Sequence, residues 1–296
     1  MDGWIDNACC CGVTAGSVLF VARDVNSGAT DASGEIRACA ACGGLFPARL
    51  PAAEAVGDAY RGYYTRKPER SGWRNAARGA MNAARRGYLE RHTPSTARRV
   101  LDFGCGGGDY LARMATRRPG IHLYGTDAFE PVRINGFTWI AADGVAASGP
   151  FDWITLGHVL EHLPDPAATL ALLSERLTRD GGLWIATPNA QSFIIRGAGR
   201  WARDIDFPRH RQLFSRAGLG RLLADAGLRA DYRPAPRLNA VLNAVSTLAV
   251  IARDRAGPKP ARAAAAWRTV AGLIGYLAWP CLATSPEWVA ACRRAR

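Results

Sequence analysis

The chain has 296 residues, 48% of them hydrophobic, so it can bury a substantial core, and disorder throughout is excluded. The formal net charge of +13 is carried mainly by arginine, and the segment 61–99 holds 11 basic residues against two acidic ones. Such a segment favours an anionic neighbour, and a plain solvated arginine face is the open alternative. No DNA- or RNA-binding signature accompanies the charge.

The first residues are partly acidic and lack an apolar run of roughly 7 to 15 residues, so we expect no secretory signal and a cytoplasmic protein. In a reducing compartment, the eight cysteines indicate thiols or metal ligands and not disulfides. Five of the eight fall within the first 42 residues.

These five cysteines form two groups. Cys39 and Cys42 make a regular C-x-x-C-G knuckle, whose glycine permits the turn that aims both sulfurs at one ion. The first group, at positions 9 to 11, is irregular, so Cys9 or Cys10 must act beside Cys11 through a distorted turn. Short strands are predicted at 18–21 and 35–38. We therefore predict a zinc-ribbon-like module over residues 1–58 with a structural zinc on Cys9, Cys11, Cys39 and Cys42. A decayed site with reduced thiols is the alternative.

A linker follows over residues 59–94. Its apolar residues at 73, 77, 81, 84 and 88 are spaced by four, four, three and four, which predicts an amphipathic helix with a basic outer face. Packing against the next domain and a lid over a cofactor are both open roles for this helix.

The glycine-rich stretch 100–108 predicts a buried strand that ends in a tight turn before a helix. Gly104, Gly106 and Gly108 allow the backbone to approach a ligand closely. A dinucleotide fingerprint needs a third glycine where the chain has Asp109, which argues against a nicotinamide dehydrogenase.

Further strands are predicted at 121–127, 137–142, 151–157 and 183–189. Between the last two, Asp165 and Pro166 are expected to begin a helix that carries Leu170, Leu173 and Leu177 on one face and ends at 180–182. This alternation predicts a doubly wound α/β sheet in residues 95–296, in which ligands bind at the carboxyl ends of the strands. Asp127 ends the second strand and can accept hydrogen bonds from a ribose. Asp143 follows the third strand.

The segments VLDFGCGGGDYL, YGTDAF, FDWITLGHVLEHLPDP, LTRDGGLWIATPN and DFPRHRQLFS resemble bacterial class I S-adenosylmethionine (SAM)-dependent methyltransferases acting on small molecules, sugars and quinone-type lipids. The resemblance implies a seven-stranded Rossmann-like sheet. It also implies that the three glycines approach the methionine part of SAM, with Asp102 near its amino group, Asp127 at the ribose and Asp143 at the adenine.

A segment of about fifty residues, 234–284, is inserted before the last predicted strand. It holds two apolar stretches, 238–252 and 269–283, each shorter than the roughly 20 residues that span a bilayer. We expect a helical hairpin. It could wall the acceptor pocket, form a dimer surface, or make a peripheral contact with a membrane.

The leading interpretation is a methyltransferase directed at a hydroxyl of a small, sugar or lipid-linked acceptor. A histidine can take the hydroxyl proton, and we rank His210 first and His158 second. Arg209 could bind an anionic substrate group, and His162, expected one helical turn after His158, could hydrogen-bond the loop after the fourth strand. The alternatives are a non-catalytic interaction protein of the same fold and a nucleic-acid methyltransferase, against which the missing Asn/Asp-Pro-Pro-aromatic motif argues.

Overall fold

A computed structural model describes residues 3–24, 32–52, 87, 89–128, 136–254, 258–278, 280 and 285–295. The chain divides into two compact units. One comprises Met1–Ser71, Pro188–Leu219 and Pro234–Trp288, and the other Gly72–Thr187, Gly220–Arg233 and Val289–Arg296. The predicted amphipathic helix at 73–88 lies, except for Gly87, outside the described residues, and the predicted boundaries at 58 and 94 stay predictions.

The cysteine-rich N-terminal part of the first unit, residues 3–52, is called the cysteine module below. Its strands are β1 (Trp4–Asp6), β2 (Gly16–Arg23), β3 (Ser33–Cys39), β4 (Leu45–Pro47) and β5 (Arg49–Pro51). Strands β2, β3 and β4 form an antiparallel sheet, and β1 pairs antiparallel with β5. The strands expected at 18–21 and 35–38 are confirmed, because they lie inside β2 and β3.

A seven-stranded sheet has the order β11-β12-β10-β9-β6-β7-β8. Its strands are β6 (Arg99–Phe103), β7 (His122–Thr126), β8 (Thr138–Trp139), β9 (Phe151–Gly157), β10 (Leu177–Pro188), β11 (Leu228–Pro234) and β12 (Glu287–Arg294). Every pairing among β6 to β10 is parallel. Strand β6 therefore lies centrally, buried between β7 and β9, and the predicted Rossmann-like fold class is confirmed.

The described helices are α1 (Asp109–Arg117), α2 (Pro166–Glu175), α3 (Phe193–Ala198), α4 (Arg216–Asp225), α5 (Arg237–Arg253) and α6 (Lys259–Ala278). Helix α2 begins as predicted, because the Asp165 carboxylate accepts the backbone N–H of Ala168 at 2.8 Å and Pro166 occupies the first turn. The predicted end was wrong. The helix stops at Glu175, and Leu177, which we had placed on its apolar face, already opens β10.

Two other predicted elements differ from the structure. The third strand was expected at 137–142, but β8 has only two residues. Asp143 lies instead in a 3₁₀ helix, Ala142–Ala147. The second insert helix was expected from position 269, but α6 begins at Lys259, because the alanines before Trp267 are strong helix formers.

Helices α3, α5 and α6 pack together in the first unit. Phe193 and Tyr276 meet with ring centroids 5.6 Å apart, and Asn243, Thr247 and Thr269 are buried at the helix contacts. The expected helical hairpin in the insert is confirmed by α5 and α6. Among the described residues, neither of these helices nor any other is long and apolar enough to cross a membrane.

Candidate functional site

The glycine-rich turn after β6 brings the backbone to the carboxyl end of the sheet. Gly104 has a φ of 79° and donates its N–H to the Thr126 carbonyl at 2.7 Å, and a Cβ on this glycine would overlap Val159. Gly108, with a φ of 72°, precedes α1, and a Cβ there would overlap the ring of Phe137. Only glycine fits these two positions, whereas a Cβ on Gly106 would meet nothing within 4 Å, so the turn's backbone is open at Gly106.

Two carboxylates flank this turn. Asp102 is 7% exposed and accepts the Thr155 hydroxyl at 2.6 Å. Burial, aided by the nearby Asp127 charge and opposed by the Thr155 hydrogen bond, raises the pKa of Asp102 to about 6. Asp127, after β7, accepts the N–H of Gly106 at 2.8 Å. The predicted residues Asp102, Gly106 and Asp127 are therefore brought together around the turn.

Asp143 lies in the 3₁₀ helix after β8 and is exposed. Strand β8 pairs with β7, so Asp143 follows the strand next to the one that carries Asp127. Its proposed contact with an adenine stays a prediction.

His158 directly follows β9 in an uncommon conformation for a non-glycine residue, with a φ of 60°. Its N–H is bonded to the carbonyl of Ala186 at 2.8 Å, which ties it to β10. Its Nδ1 lies 3.4 Å from Oε1 of Glu161, a fully buried carboxylate whose other oxygen accepts the Thr187 hydroxyl at 2.9 Å. His158 is therefore held at the sheet's carboxyl end by one backbone bond and one buried acid.

His162 is half-buried and lies in a 3₁₀ turn, Leu160–His162, whose closing bond runs from its N–H to the carbonyl of Val159. The expectation that it stands one α-helical turn after His158 was wrong, because no α-helix forms between His158 and Pro166. Its predicted role in hydrogen-bonding the loop stays a prediction.

Arg209 is buried between two aspartates. Its guanidinium contacts Asp24 at 3.1 and 3.4 Å and Asp206 at 2.5 and 3.0 Å, and the side chain is 1% exposed. Burial alone would lower the pKa of Arg209, but hydrogen bonds and charge from Asp206 and Asp24 outweigh burial and raise it. Much of the donor capacity that we had assigned to an anionic substrate is thus directed at these two carboxylates.

His210 is 8% exposed, and its Nδ1 lies 2.7 Å from the backbone carbonyl of Asp204. A carbonyl can only accept, so Nδ1 carries the hydrogen and Nε2 has the lone pair of the neutral ring. Nε2 is 4.0 Å from the Asp206 carboxylate. Asn243 on α5 donates to both carboxylate oxygens of Asp204, at 2.8 and 3.0 Å, and so steadies the residue that orients His210.

The stretch 207–215, which we call the histidine loop, packs on the cysteine module. Leu213 and Leu45 exchange two backbone hydrogen bonds, of 2.7 and 2.9 Å. Asn7 donates its amide to the carbonyl of Arg211 at 2.9 Å, and the Ser215 hydroxyl donates to the carbonyl of Cys42 at 2.5 Å. The position of His210 therefore depends on residues distant in sequence.

The predicted metal-ligating cysteines converge. The sulfurs of Cys9, Cys11, Cys39 and Cys42 all lie within 4.8 Å of one another. A tetrahedral zinc with Zn–S bonds of about 2.3 Å needs sulfurs roughly 3.8 Å apart, so the cluster fits that ion. Burial opposes the ionisation of Cys39, but the backbone N–H groups of Cys42 and Ala41 outweigh it and lower its pKa to about 7.

Three residues that matter here were not singled out from the sequence. Thr155 lies among the apolar residues of β9, and nothing in the sequence around it indicates its hydrogen bond to Asp102. Glu161 sits between the two histidines that drew attention, and its burial beside a sheet end could have been suspected from the pattern around it. The role of Asp24 follows only from its contact with Arg209, which lies 185 positions away in the sequence.

The sheet order, the glycine turn and the two carboxylates define a class I methyltransferase fold with a built SAM cradle. The family model described as "methyltransferase domain" matches residues 73–232. This match covers more than half of the 296 residues, and the chain belongs to that family.

Among similar proteins are two ubiquinone biosynthesis O-methyltransferases. The one from Aromatoleum aromaticum is 32% identical over 136 residues, which is 40% of this chain and 57% of that protein. The one from Methylococcus capsulatus is 38% identical over 116 residues, 35% of this chain and 48% of that protein. The chain thus spans about half the length of the curated relatives it matches.

Solved structures that are similar include a SAM-dependent methyltransferase from Archaeoglobus fulgidus, with 18% identity, a TM-score of 0.44 and coverage of 72% of this chain and 93% of that one. The [4+2]-cyclase SpnF is 21% identical with a TM-score of 0.45, covering 78% of this chain and 85% of that one.

Proposed function

We propose that the protein transfers a methyl group from SAM to a hydroxyl of a small-molecule acceptor. The observation that carries this proposal is the cradle after β6, in which Asp102 and Asp127 flank a turn that admits no Cβ at Gly104. SAM, when bound, supplies an already electrophilic methyl group, so the protein has to align the acceptor and exclude water.

The residues of the cradle suit the parts of SAM. Asp102 is buried and can pair with the cationic amino group, and Asp127, half-buried and fixed by Gly106, can accept hydrogen bonds from the ribose hydroxyls. We assign the adenine contact to Asp143, which follows the neighbouring strand. Asp109 stands where the dinucleotide-binding fingerprint has its third glycine, which favours SAM over a dinucleotide.

For removal of the acceptor's proton we propose His210 first and His158 second. The lone pair on Nε2 of His210 suits a base, because Nδ1 already donates to Asp204. His158 is held near Glu161, whose carboxylate would stabilise an imidazolium. The buried ion pairs of Arg209 favour a positioning role for it over the earlier expectation that it binds substrate.

The acceptor class is inferred from the relatives, whose names indicate O-methylation in quinone biosynthesis. We therefore favour a hydroxylated quinone or a lipid-linked acceptor over a sugar. A structural zinc on the four converged cysteines completes the proposal. It has no role in the chemistry, because four thiolates leave no open coordination position.

The first experiment separates binding from turnover. Calorimetry with S-adenosylhomocysteine (SAH), the demethylated product of SAM, tests the cofactor, and SAH release is then measured with a panel of phenols, sugars and hydroxylated quinones. SAH binding without turnover on any acceptor would favour a non-catalytic protein. A steep salt dependence of binding to single-stranded or duplex DNA would instead support nucleic-acid methylation. Absence of SAH binding would refute the proposal.

The base assignment is tested with His210→Ala and His158→Ala on the best acceptor of that panel. We expect each active base to lower turnover by roughly a hundredfold and to remove the acidic limb of the pH profile, with SAH affinity unchanged. His122→Ala, on an exposed position of β7, is the matched control. If both variants keep wild-type turnover, neither histidine is the base, and alignment of the acceptor with SAM is sufficient for methyl transfer.

A further inference from the structure

Helices α5 and α6 are apolar on two opposite faces. One stripe on each helix is buried, at Ala240, Ala244, Thr247 and Ile251 on α5 and at Ala265, Thr269 and Tyr276 on α6. The spacing of three and four residues in these stripes is that of a single helix face. A helix on the surface of a protein in water ordinarily carries polar residues on the face opposite its buried stripe.

Here the opposite stripe is apolar as well. On α5 it runs through Leu238, Val241, Val245, Ala249 and Ala252, and on α6 through Ala263, Trp267, Ala271, Ile274 and Ala278. Four large side chains among them are well exposed: Trp267 by 74%, Ile274 by 63%, Val245 by 56% and Leu238 by 49%. Val241 is half-buried. These ten positions, called the outer face below, give each of the two helices an apolar stripe whose largest side chains are exposed to water.

The charges of these two helices all have one sign. The charged residues of α5 and α6 are Arg237, Arg253, Lys259, Arg262 and Arg268, and none of them belongs to the outer face. Asp254, directly after α5, accepts the indole N–H of Trp201 at 2.5 Å. An apolar face flanked by cations is the pattern of helices that lie in the interface of an anionic bilayer.

The same charges argue against a second copy of this chain as the occupant. Two outer faces packed together would bring the flanking cations of both copies to the edge of one interface, where like charges in proximity oppose association. An anionic headgroup layer meets those cations with opposite charge, and its acyl boundary accepts Trp267, Ile274 and Val245.

We propose that the outer face of the α5–α6 hairpin docks on the surface of a membrane containing anionic phospholipid, without crossing it. The aromatic Trp267 would sit at headgroup depth, and the cations at the helix ends would contact phosphate groups. This surface stands independently of the methyl transfer proposed above, although it would bring a lipid-linked acceptor within reach of the protein.

The test is flotation of the full chain with vesicles of phosphatidylcholine, with and without phosphatidylglycerol. We expect binding only to the anionic vesicles, weakening as salt rises, with about fivefold lost for each cation removed as in Arg262→Gln. Trp267→Glu and, separately, Ile274→Glu should each lower the partition coefficient by at least about tenfold. Both residues are too exposed for either variant to disturb the packed stripe.

Leu19→Glu is the matched control, because Leu19 is 49% exposed and lies on the cysteine module. An equal loss of vesicle binding in Leu19→Glu would show that binding does not depend specifically on the hairpin, and would overturn the proposal. So would a failure to bind anionic vesicles, or sedimentation of the wild type as a dimer that Trp267→Glu separates. SAH affinity is measured on the same samples, so failure of the cofactor assignment is recognised separately.

Discussion

In the cofactor cradle, Gly104, Gly106 and Asp127 lie within a stretch of 24 consecutive positions, from 104 to 127, and their contacts join neighbouring strand ends. In the histidine loop, Arg209 is bound by Asp24 and the carbonyl of Arg211 by Asn7, across separations of 185 and 204 residues. The first region is assembled by local turns, and the second by contacts between distant segments. A change in the cysteine module should therefore disturb His210 while leaving the cradle intact.

The two regions also differ in how they handle charge. The cradle keeps Asp102 buried beside a single hydroxyl and raises its pKa to about 6, which suits a site that awaits a cation. In the histidine loop, the buried charge of Arg209 is instead neutralised by two protein carboxylates, Asp24 of the cysteine module and Asp206 just before the loop. The buried charge of the cradle can therefore pair with a cationic ligand, whereas the buried charges around the histidine loop fix its conformation.

The largest effect is expected from loss of the metal site. The purified protein should contain about one zinc, and Cys39→Ser should release it and unfold the cysteine module, because metal binding in such small sites contributes on the order of 10 kcal/mol to folding. Elemental analysis and hydrogen exchange measure this. Exchange should rise at Leu45 and Leu213, whose backbone bonds join the module to the loop, and stay unchanged at β6.

Cys10→Ser is the control for that experiment. The Cys10 sulfur lies 3.8 Å from that of Cys9 but outside the converged four, so this variant should keep the metal. Protein purified without chelator that contains no metal would show that the four cysteines are only packed thiols.

The next effect tests the ion pairs of the loop. Arg209→Met keeps the apolar stem but leaves the Asp24 and Asp206 carboxylates without their cation, which should lower the free energy of unfolding by about 3 to 5 kcal/mol. Asp24→Asn should cost less, because Arg209 and Asp206 still form a neutral pair. Urea unfolding measures both. Little loss in either variant would mean that Arg209 stabilises the fold through packing and not through charge.

Much of the cradle was predictable because its signals are local. The strand ends, the glycine spacing and the acids at the carboxyl ends of β6 and β7 can be read from the local hydrophobic pattern and from the turn residues. The predicted Asp102, Gly106 and Asp127 converge. The converged cysteines were predictable for the same reason, since the knuckle at Cys39 requires a partner pair.

The histidine loop was not predictable in the same way. Arg209 looks like an anion-binding residue in sequence, because nothing near it indicates that Asp24 will reach its guanidinium. Leu177 shows the matching difficulty in secondary structure. It continues the apolar helical spacing of α2, yet it is buried in β10, because tertiary packing overrides local periodicity.

A smaller effect is expected in the cradle itself. Asp127→Ala removes the acceptor of the Gly106 N–H and the proposed acceptor of the ribose hydroxyls, and should weaken SAH binding by about 1.5 to 3 kcal/mol. Calorimetry measures this, with the exposed Asp180→Ala as control. Unfolding of the cysteine module should not change in this variant. If SAH affinity is unaltered, the ribose is held elsewhere.

The smallest effect is a pH dependence that should belong to the cradle alone. The pKa of Asp102 is raised from 3.8 to about 6, so in the free protein this carboxyl holds its proton over that interval and its ionisation becomes a cost to folding as pH rises. A bound ammonium group favours the ionised form, so binding must release the proton below pH 6. SAH affinity should therefore rise roughly tenfold per pH unit up to about 6 and level off above it. Calorimetry across this range in Asp102→Asn should give weaker binding without the slope, because no proton is left to release. An unchanged slope in that variant would assign the titration to another group and remove Asp102 from the contact with the amino group.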